Sequence, residues 1–268
     1  MQDRHLNREK YFREQGITVE KYVLPFIQKV KAINKNTSVL EIGCGEGGNL
    51  VPFLKRGCKI IGVDMSKGKI ENANNFFDKM KIRDNIKFIC DDIYNIKDIG
   101  QFDIIITRDV LEHIHNQDKF MMLVKKFMKQ DSKFFLGFPS WQSPFGGHQQ
   151  MCKSKFLSKI PYLHLLPTFI YKYILKSFDE SEAKIKGLLE VKDTRITIER
   201  FHGILKREQY NIDKKVFYFI NPNYEIKFGL SPRKALRLIS SIPVIRNFFI
   251  TTNYYIVSKK SPFIFEEA

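Results

Sequence analysis

The stretch "SVLEIGCGEGGNL" (residues 38–50) sets a carboxylate ahead of closely spaced glycines. Gly43, Gly45 and Gly48 fit G-x-G-x-x-G, a turn that lets backbone amides approach a dinucleotide pyrophosphate. The same residues also read E-x-G-x-G-x-G through Glu41, Gly43, Gly45 and Gly47. The two readings call for different ligands. A carboxylate at Glu41 is unfavourable beside a pyrophosphate anion, but favourable beside an ammonium group or a water bridging to one. Asp64 stands 21 residues after Gly43, where an acid hydrogen-bonds both hydroxyls of a ribose. Asp91 and Asp92 close the next apolar run, one of them placed to accept from an adenine amino group. "TRDVLEHI" (107–114) then adds Arg108, Asp109 and His113. Together these groups favour an adenosine ligand with a zwitterionic tail and a positive centre.

Such residues act together only if the chain brings them to one edge. Buried-strand patterns occur at 37–43, 59–66, 86–93, 102–110 and 133–139, separated by helical patterns at 49–57, 68–81 and 119–130 and preceded by one at 8–33. That alternation predicts an α/β fold, a doubly wound and mostly parallel sheet covered on both faces. Its ligands bind outside the carboxyl ends of the strands, where each of these polar groups falls. A helix at 196–209 and strands at 214–220 and 252–260 bring the sheet to seven strands, the last antiparallel to its predecessor. The organisation is therefore a core over 1–139 with its N-terminal helix, an insertion or lid over 140–195, core again over 196–220, a second insertion over 221–251, and a final strand and tail over 252–268.

The chain has 268 residues, 43% of them hydrophobic, enough for a sizeable core. Its net charge of +16 divides into +6 through residue 141 and +10 beyond it. The denser excess suits an anionic partner, and equally a solvated lysine-rich face. Cys44, Cys58, Cys90 and Cys152 form no C-x-x-C pair, which argues against a disulfide framework or zinc site and for a reducing, cytoplasmic setting. The charged start "MQDRHLNREKYFREQ" does not read as a signal peptide. "IPYLHLLPTFIYKYIL" (160–175), with two prolines, a histidine and a lysine, does not read as a membrane span.

The series "VLEIGCGEGG", "IIGVDMS", "FICDDI" and "FDIIITRDVLEHI" resembles the class I S-adenosylmethionine-dependent methyltransferases in order and spacing. The likeness covers about residues 35–139 and continues more weakly in 196–220 and 252–260. It implies a Rossmann-like methyltransferase fold with helical insertions after the fifth and sixth strands, and S-adenosylmethionine as cofactor. It also implies roles. Gly43, Gly45 and Gly47 let the backbone approach the methionine part, with Glu41 in support. Asp64 holds the ribose, Met65 packs on adenine, and Asp92 and Ile93 serve the adenine edge. Arg108 and Asp109 lie along the methionine tail, with His113 close by. Met65 and Ile93 also suit core positions, His113 a packing role and Asp91 a turn cap.

The methyl acceptor belongs beyond the fifth strand, at "GFPSWQSPFGGHQQ" (137–150). His148, following a flexible Gly146-Gly147 hinge, is the expected general base for a hydroxyl acceptor. No carboxylate or histidine stands at ligand spacing from it, so no metal is expected. Base-amino methyltransferases usually carry N/D-P-P-Y/F after the fourth strand, where this chain has Thr107, Arg108, Asp109 and Val110, so nucleic acid is not the expected partner. "FLSKIPYLHLLPTFIYKYILKSF" (156–178) is aromatic and aliphatic, and "SPRKALRLISSIPVIRNFF" (231–249) is amphipathic and basic through Lys234, Arg237 and Arg246. Both suit a hydrophobic acceptor or an anionic membrane surface. "SPFGGHQ" and "NPNYEIKFG" resemble bacterial methyltransferases associated with cell-surface glycans or secondary metabolites. The expected activity is O-methylation of a small-molecule, glycan or lipid-linked acceptor. An RNA methyltransferase and a dinucleotide-dependent oxidoreductase are the alternatives.

Overall fold

A computed structural model describes residues 7–260. Eight strands form one sheet: β1 (Ser38–Ile42), β2 (Lys59–Asp64), β3 (Ile86–Cys90), β4 (Phe102–Arg108), β5 (Met128–Phe138), β6 (Tyr210–Ile220), β7 (Arg233–Lys234) and β8 (Thr252–Lys259). Their order is β3-β2-β1-β4-β5-β8-β6-β7. The first five are parallel, and β8 lies antiparallel between β5 and β6. β1 and β4 are buried nearly throughout because both faces of the sheet are covered. Val39, Ile104, Ile106 and Phe135 face one core, while Leu40, Ile105, Phe134 and Leu136 face the other. Each such side chain contributes about 1.5–3 kcal/mol when fully buried.

Three expectations about elements need correction. The sheet has eight strands rather than seven, because Arg233 and Lys234 of the second insertion pair with Ile220 and Tyr218 on the edge. The first helix ends at Ile27 rather than residue 33. Within it, Pro25 lacks the N–H that would bond back to residue 21, and the preceding Val19–Val23 widens into a π turn. The helix expected at 119–130 runs over Gln117–Val124 with a 3₁₀ turn to Phe127, and β5 begins at Met128.

The first insertion carries its own apolar cluster. Cys152, Leu157, Leu163, Tyr171, Leu175, Ile185 and Leu188 pack together under helices Thr168–Ser177 and Glu182–Thr194. Buried Lys192 locks this unit internally, its Nζ donating to the carbonyls of His164 and Leu166 at 2.6 and 2.7 Å. Thr194 Oγ1 then donates to the Glu112 carbonyl at 2.6 Å, tying the insertion to the turn after β4. Among the described residues no helix is long and apolar enough to cross a membrane.

Candidate active site

β1 ends in the glycine loop, and parallel pairing sets the ends of β2, β3 and β4 beside it. Glu41 pairs in register with Gly62 of β2 and Ile106 of β4, and Asp64 with Cys90 of β3. The loop is held from β2. Gly43 N–H donates to the Val63 carbonyl at 2.8 Å, and Gly45 N–H to Asp64 Oδ2 at 2.9 Å. Asp64 Oδ1 accepts from Ser66 N–H at 2.9 Å. A carboxylate offers about four acceptor positions, so two backbone bonds leave capacity for a diol.

The three glycines differ in what they do. All have positive φ, which L side chains rarely adopt. A Cβ on Gly43 would fall 2.4 Å from Val110, and one on Gly47 2.9 Å from Phe88. These two therefore admit packing of the chain against itself on the side a Cβ would occupy. Of the three, Gly45 alone has room for a Cβ, its nearest neighbour being Lys69 at 4.0 Å. Gly45 is where a ligand can meet the loop backbone.

Glu41 is fully buried, and its Oε1 accepts from Asn49 Nδ2 at 2.6 Å. Its Oε2 has no hydrogen-bond partner among the described residues. Burial, offset in part by the Asn49 hydrogen bond and the Arg108 charge, pushes its pKa up to about 8. A buried acid with a free oxygen suits a cationic ligand group, so the loop fits the ammonium of S-adenosylmethionine and gives a pyrophosphate nothing to replace it.

Arg108 departs from the expected place along a methionine tail. Its buried guanidinium donates to Asn49 Oδ1 at 2.8 Å and to Asn223 Oδ1, joining the glycine loop to the second insertion. Asp109, at φ +56°, donates its N–H to the Gly137 carbonyl and leaves its carboxylate exposed. Met65 is 70% exposed and free to cover a planar group. Ile93 instead is buried with Val63 and Ile105, so its side chain serves the core. Asp91 caps the turn, accepting from Asp92 N–H and Asn95 Nδ2, while partly exposed Asp92 accepts from Tyr94 N–H.

His148 does not follow a hinge. A Cβ on Gly146 would stand 2.3 Å from the Trp141 carbonyl oxygen, and one on Gly147 2.2 Å from His164. The two glycines allow a tight, filled turn that delivers His148 at φ +59°. Its Nε2 lies 3.6 Å from Glu112 Oε1, and its ring 5.1 Å from that of His113. A partner carboxylate and histidine absent at local spacing are thus supplied by the fold, which corrects the ground on which a metal was not expected. Burial holds the His113 imidazole below its ordinary pKa.

A family described as a methyltransferase domain matches residues 33–207. The chain belongs to that family. Ubiquinone biosynthesis O-methyltransferase of Pelagibacter ubique is 31% identical over 102 residues, spanning 38% of this chain and 42% of that protein. The chain thus matches less than half the length of that curated relative. Among solved structures, an S-adenosylmethionine-dependent methyltransferase from Clostridium acetobutylicum superposes at TM-score 0.55 and 14% identity, covering 97% of this chain and 96% of the other. Magnesium protoporphyrin IX methyltransferase from Synechocystis, solved with bound SAH, gives 0.53 at 13% identity over 92% and 83% of the two chains. These likenesses show the fold.

Three buried polar residues escaped the motif reading: Asn49 and Glu112 within this methyltransferase domain, and Asn223 beyond its matched span. Asn49 directly follows the glycine run and Glu112 sits inside "DVLEHI", so both were visible as polar residues in apolar surroundings. Asn223 lies 115 residues from Arg108, a separation no local pattern spans.

Proposed function

We propose that this chain transfers the methyl group of S-adenosylmethionine to a hydroxyl oxygen of a small, glycan- or lipid-linked acceptor. The observation that carries the reading is Glu41: a buried carboxylate with an unpartnered oxygen, at the foot of a loop with open space beside Gly45. When bound, the cofactor supplies an electrophilic methyl on a sulfonium. Glu41 takes the ammonium, Asp64 the ribose hydroxyls, Asp92 the adenine amino group, and exposed Met65 covers the ring. His148 removes the proton of the acceptor hydroxyl, with Glu112 stabilising the resulting imidazolium. Holding the hydroxyl in line with the methyl supplies much of the remaining rate. Relatives named as O-methyltransferases support oxygen as the accepting atom, and a structural neighbour solved with SAH supports the cofactor. Four cysteines at scattered spacings fit a reducing compartment, and we place the protein in the cytoplasm.

Calorimetry tests the cofactor directly: S-adenosylmethionine and SAH should bind, and NAD should not. Asp64→Ala should weaken S-adenosylmethionine by about 1–3 kcal/mol, because charge-assisted bonds to both ribose hydroxyls go. Wild-type affinity in that variant would remove Asp64 from the site.

The two insertions favour a lipid surface as the source of the acceptor. Phe169, Tyr173, Leu236 and Leu238 are each more than 70% exposed, and Val244 and Ile245 at least half. Exposed Lys172, Arg233, Lys234 and Arg237 lie among them. Tyr162 Oη donates to the Phe248 carbonyl at 3.0 Å, so the two insertions meet at that point. Arg246 is not part of it, since its side chain is 12% exposed and bonded to Glu199 at 2.9 Å. Cosedimentation with phosphatidylglycerol vesicles should be strong at low salt and fall steeply with added salt. Replacing Arg233, Lys234 and Arg237 together by glutamine should have the same effect. Binding that ignores both changes would reduce these residues to a solvated face.

A further inference from the structure

Glu112 is a buried carboxylate with no donor to meet its charge among the described residues. It sits in the 3₁₀ turn Leu111–His113 after β4, is 2% exposed, and neither carboxylate oxygen has a hydrogen-bond partner among the described residues. Removing a carboxylate from water without donors is costly, and such groups are paired or coordinate metals. Two imidazoles stand at the same point. One ligand atom each from Glu112, His113 and His148 lie within 4.8 Å of one another. Ligands on opposite sides of an ion at ~2.1 Å are ~4.2 Å apart, so small side-chain rotations close the set.

We propose that Glu112, His113 and His148 bind a first-row divalent transition-metal ion on the acceptor side of the site. Two imidazoles and one carboxylate suit Mn²⁺, Fe²⁺, Co²⁺ or Zn²⁺ better than the all-oxygen preference of Mg²⁺ or Ca²⁺. The backbone holds the ligands in place. Thr194 fixes the Glu112 carbonyl, and the filled Gly146-Gly147 turn fixes His148. Three protein ligands leave coordination positions open, as in catalytic rather than structural sites.

The site deepens the methyl-transfer reading and rests on it for its chemical role. An acceptor hydroxyl at an open position becomes more acidic and gives its proton to water; with the ion bound, His148 acts as a ligand, and it serves as general base when the ion is absent. The oxygen lone pair then forms the new O–C bond as the C–S bond breaks. The C–S electron pair stays on sulfur, converting the sulfonium to the neutral thioether of S-adenosylhomocysteine. An acceptor with two adjacent oxygens, such as a catechol or vicinal diol, would chelate the ion best.

The test uses the full chain, stripped with EDTA and titrated with MnCl₂, free Mn²⁺ being read by electron paramagnetic resonance. Wild type should take up one Mn²⁺ per chain. Glu112→Gln and His148→Asn should each weaken uptake by at least about tenfold, with S-adenosylmethionine affinity unchanged by calorimetry. Asn tolerates the positive φ at position 148, so His148→Asn carries the test if the buried Glu112→Gln variant does not fold. No saturable uptake by wild type, or wild-type uptake by the folded variants, overturns the cation site. Failure of S-adenosylmethionine to bind wild type overturns the methyl-transfer reading instead, so the two failures are separate.

Discussion

His148→Ala is expected to lower turnover of a hydroxyl acceptor by roughly 10²–10⁴ while leaving S-adenosylmethionine affinity nearly unchanged. The separation follows from the fold. The cofactor groups Glu41, Gly45 and Asp64 end β1 and β2, whereas His148 arrives from the loop after β5 and touches Glu112 and His113. The loss is expected whether the imidazole takes the proton or holds an ion that acidifies the hydroxyl, because either way the acceptor oxygen remains protonated. Release of SAH, followed with an acceptor that the wild type turns over, measures it. A histidine that merely braces the loop would show a lower melting temperature with turnover preserved, and that result would remove His148 from the chemistry.

The core was legible because its signals are local. An apolar run buried on both faces, a glycine turn and an amphipathic helix repeat every few residues, and β1 to β5 fall within the stretches assigned to them, apart from the longer start of β5. The acidic residues that end β2 and β3 were legible for the same reason. Seven strands became eight because a two-residue pairing such as Arg233–Lys234 leaves no period to detect.

The acceptor side was less legible, since its geometry depends on contacts between distant segments. "SPFGGHQ" read as a flexible hinge because paired glycines commonly supply freedom. In the fold they supply close approach, to the Trp141 carbonyl and to His164. Glu112 likewise passed unremarked inside "TRDVLEHI", although 36 residues further on the chain returns to place His148 beside it. Arg108 looked like a ligand-facing charge. Its partner Asn223 comes from the second insertion, and only that contact makes it a buried clamp.

Glu41 yields the second large effect, through pH. In the ligand-free protein its carboxyl has a pKa of about 8, chiefly from burial, so at neutral pH it holds a proton. An ammonium group at Oε2 favours the ionised form, and binding must then expel that proton. S-adenosylmethionine affinity should therefore fall by about tenfold for each pH unit below 8, down to the pKa of the bound state, and be independent of this group above 8. The ligand's own amino group also titrates, but identically with a Glu41→Gln variant. The difference between the two profiles isolates Glu41. Calorimetry in buffers of different ionisation enthalpy should report a proton released by wild type at pH 7 and none traceable to residue 41 in Glu41→Gln. Stability carries the same sign from the other side. Because the folded pKa lies above the ordinary carboxyl range, the folded chain keeps a proton that the unfolded chain has lost. Ligand-free stability should decline as pH rises from about 4.5 to 8, by up to about 1.4 kcal/mol per unit from this group, and then level off. Saturating cofactor should flatten that slope, since the ammonium replaces the proton as partner of the buried oxygen. Parallel wild-type and Glu41→Gln profiles, with and without cofactor, would mean that the free oxygen of Glu41 meets no cation.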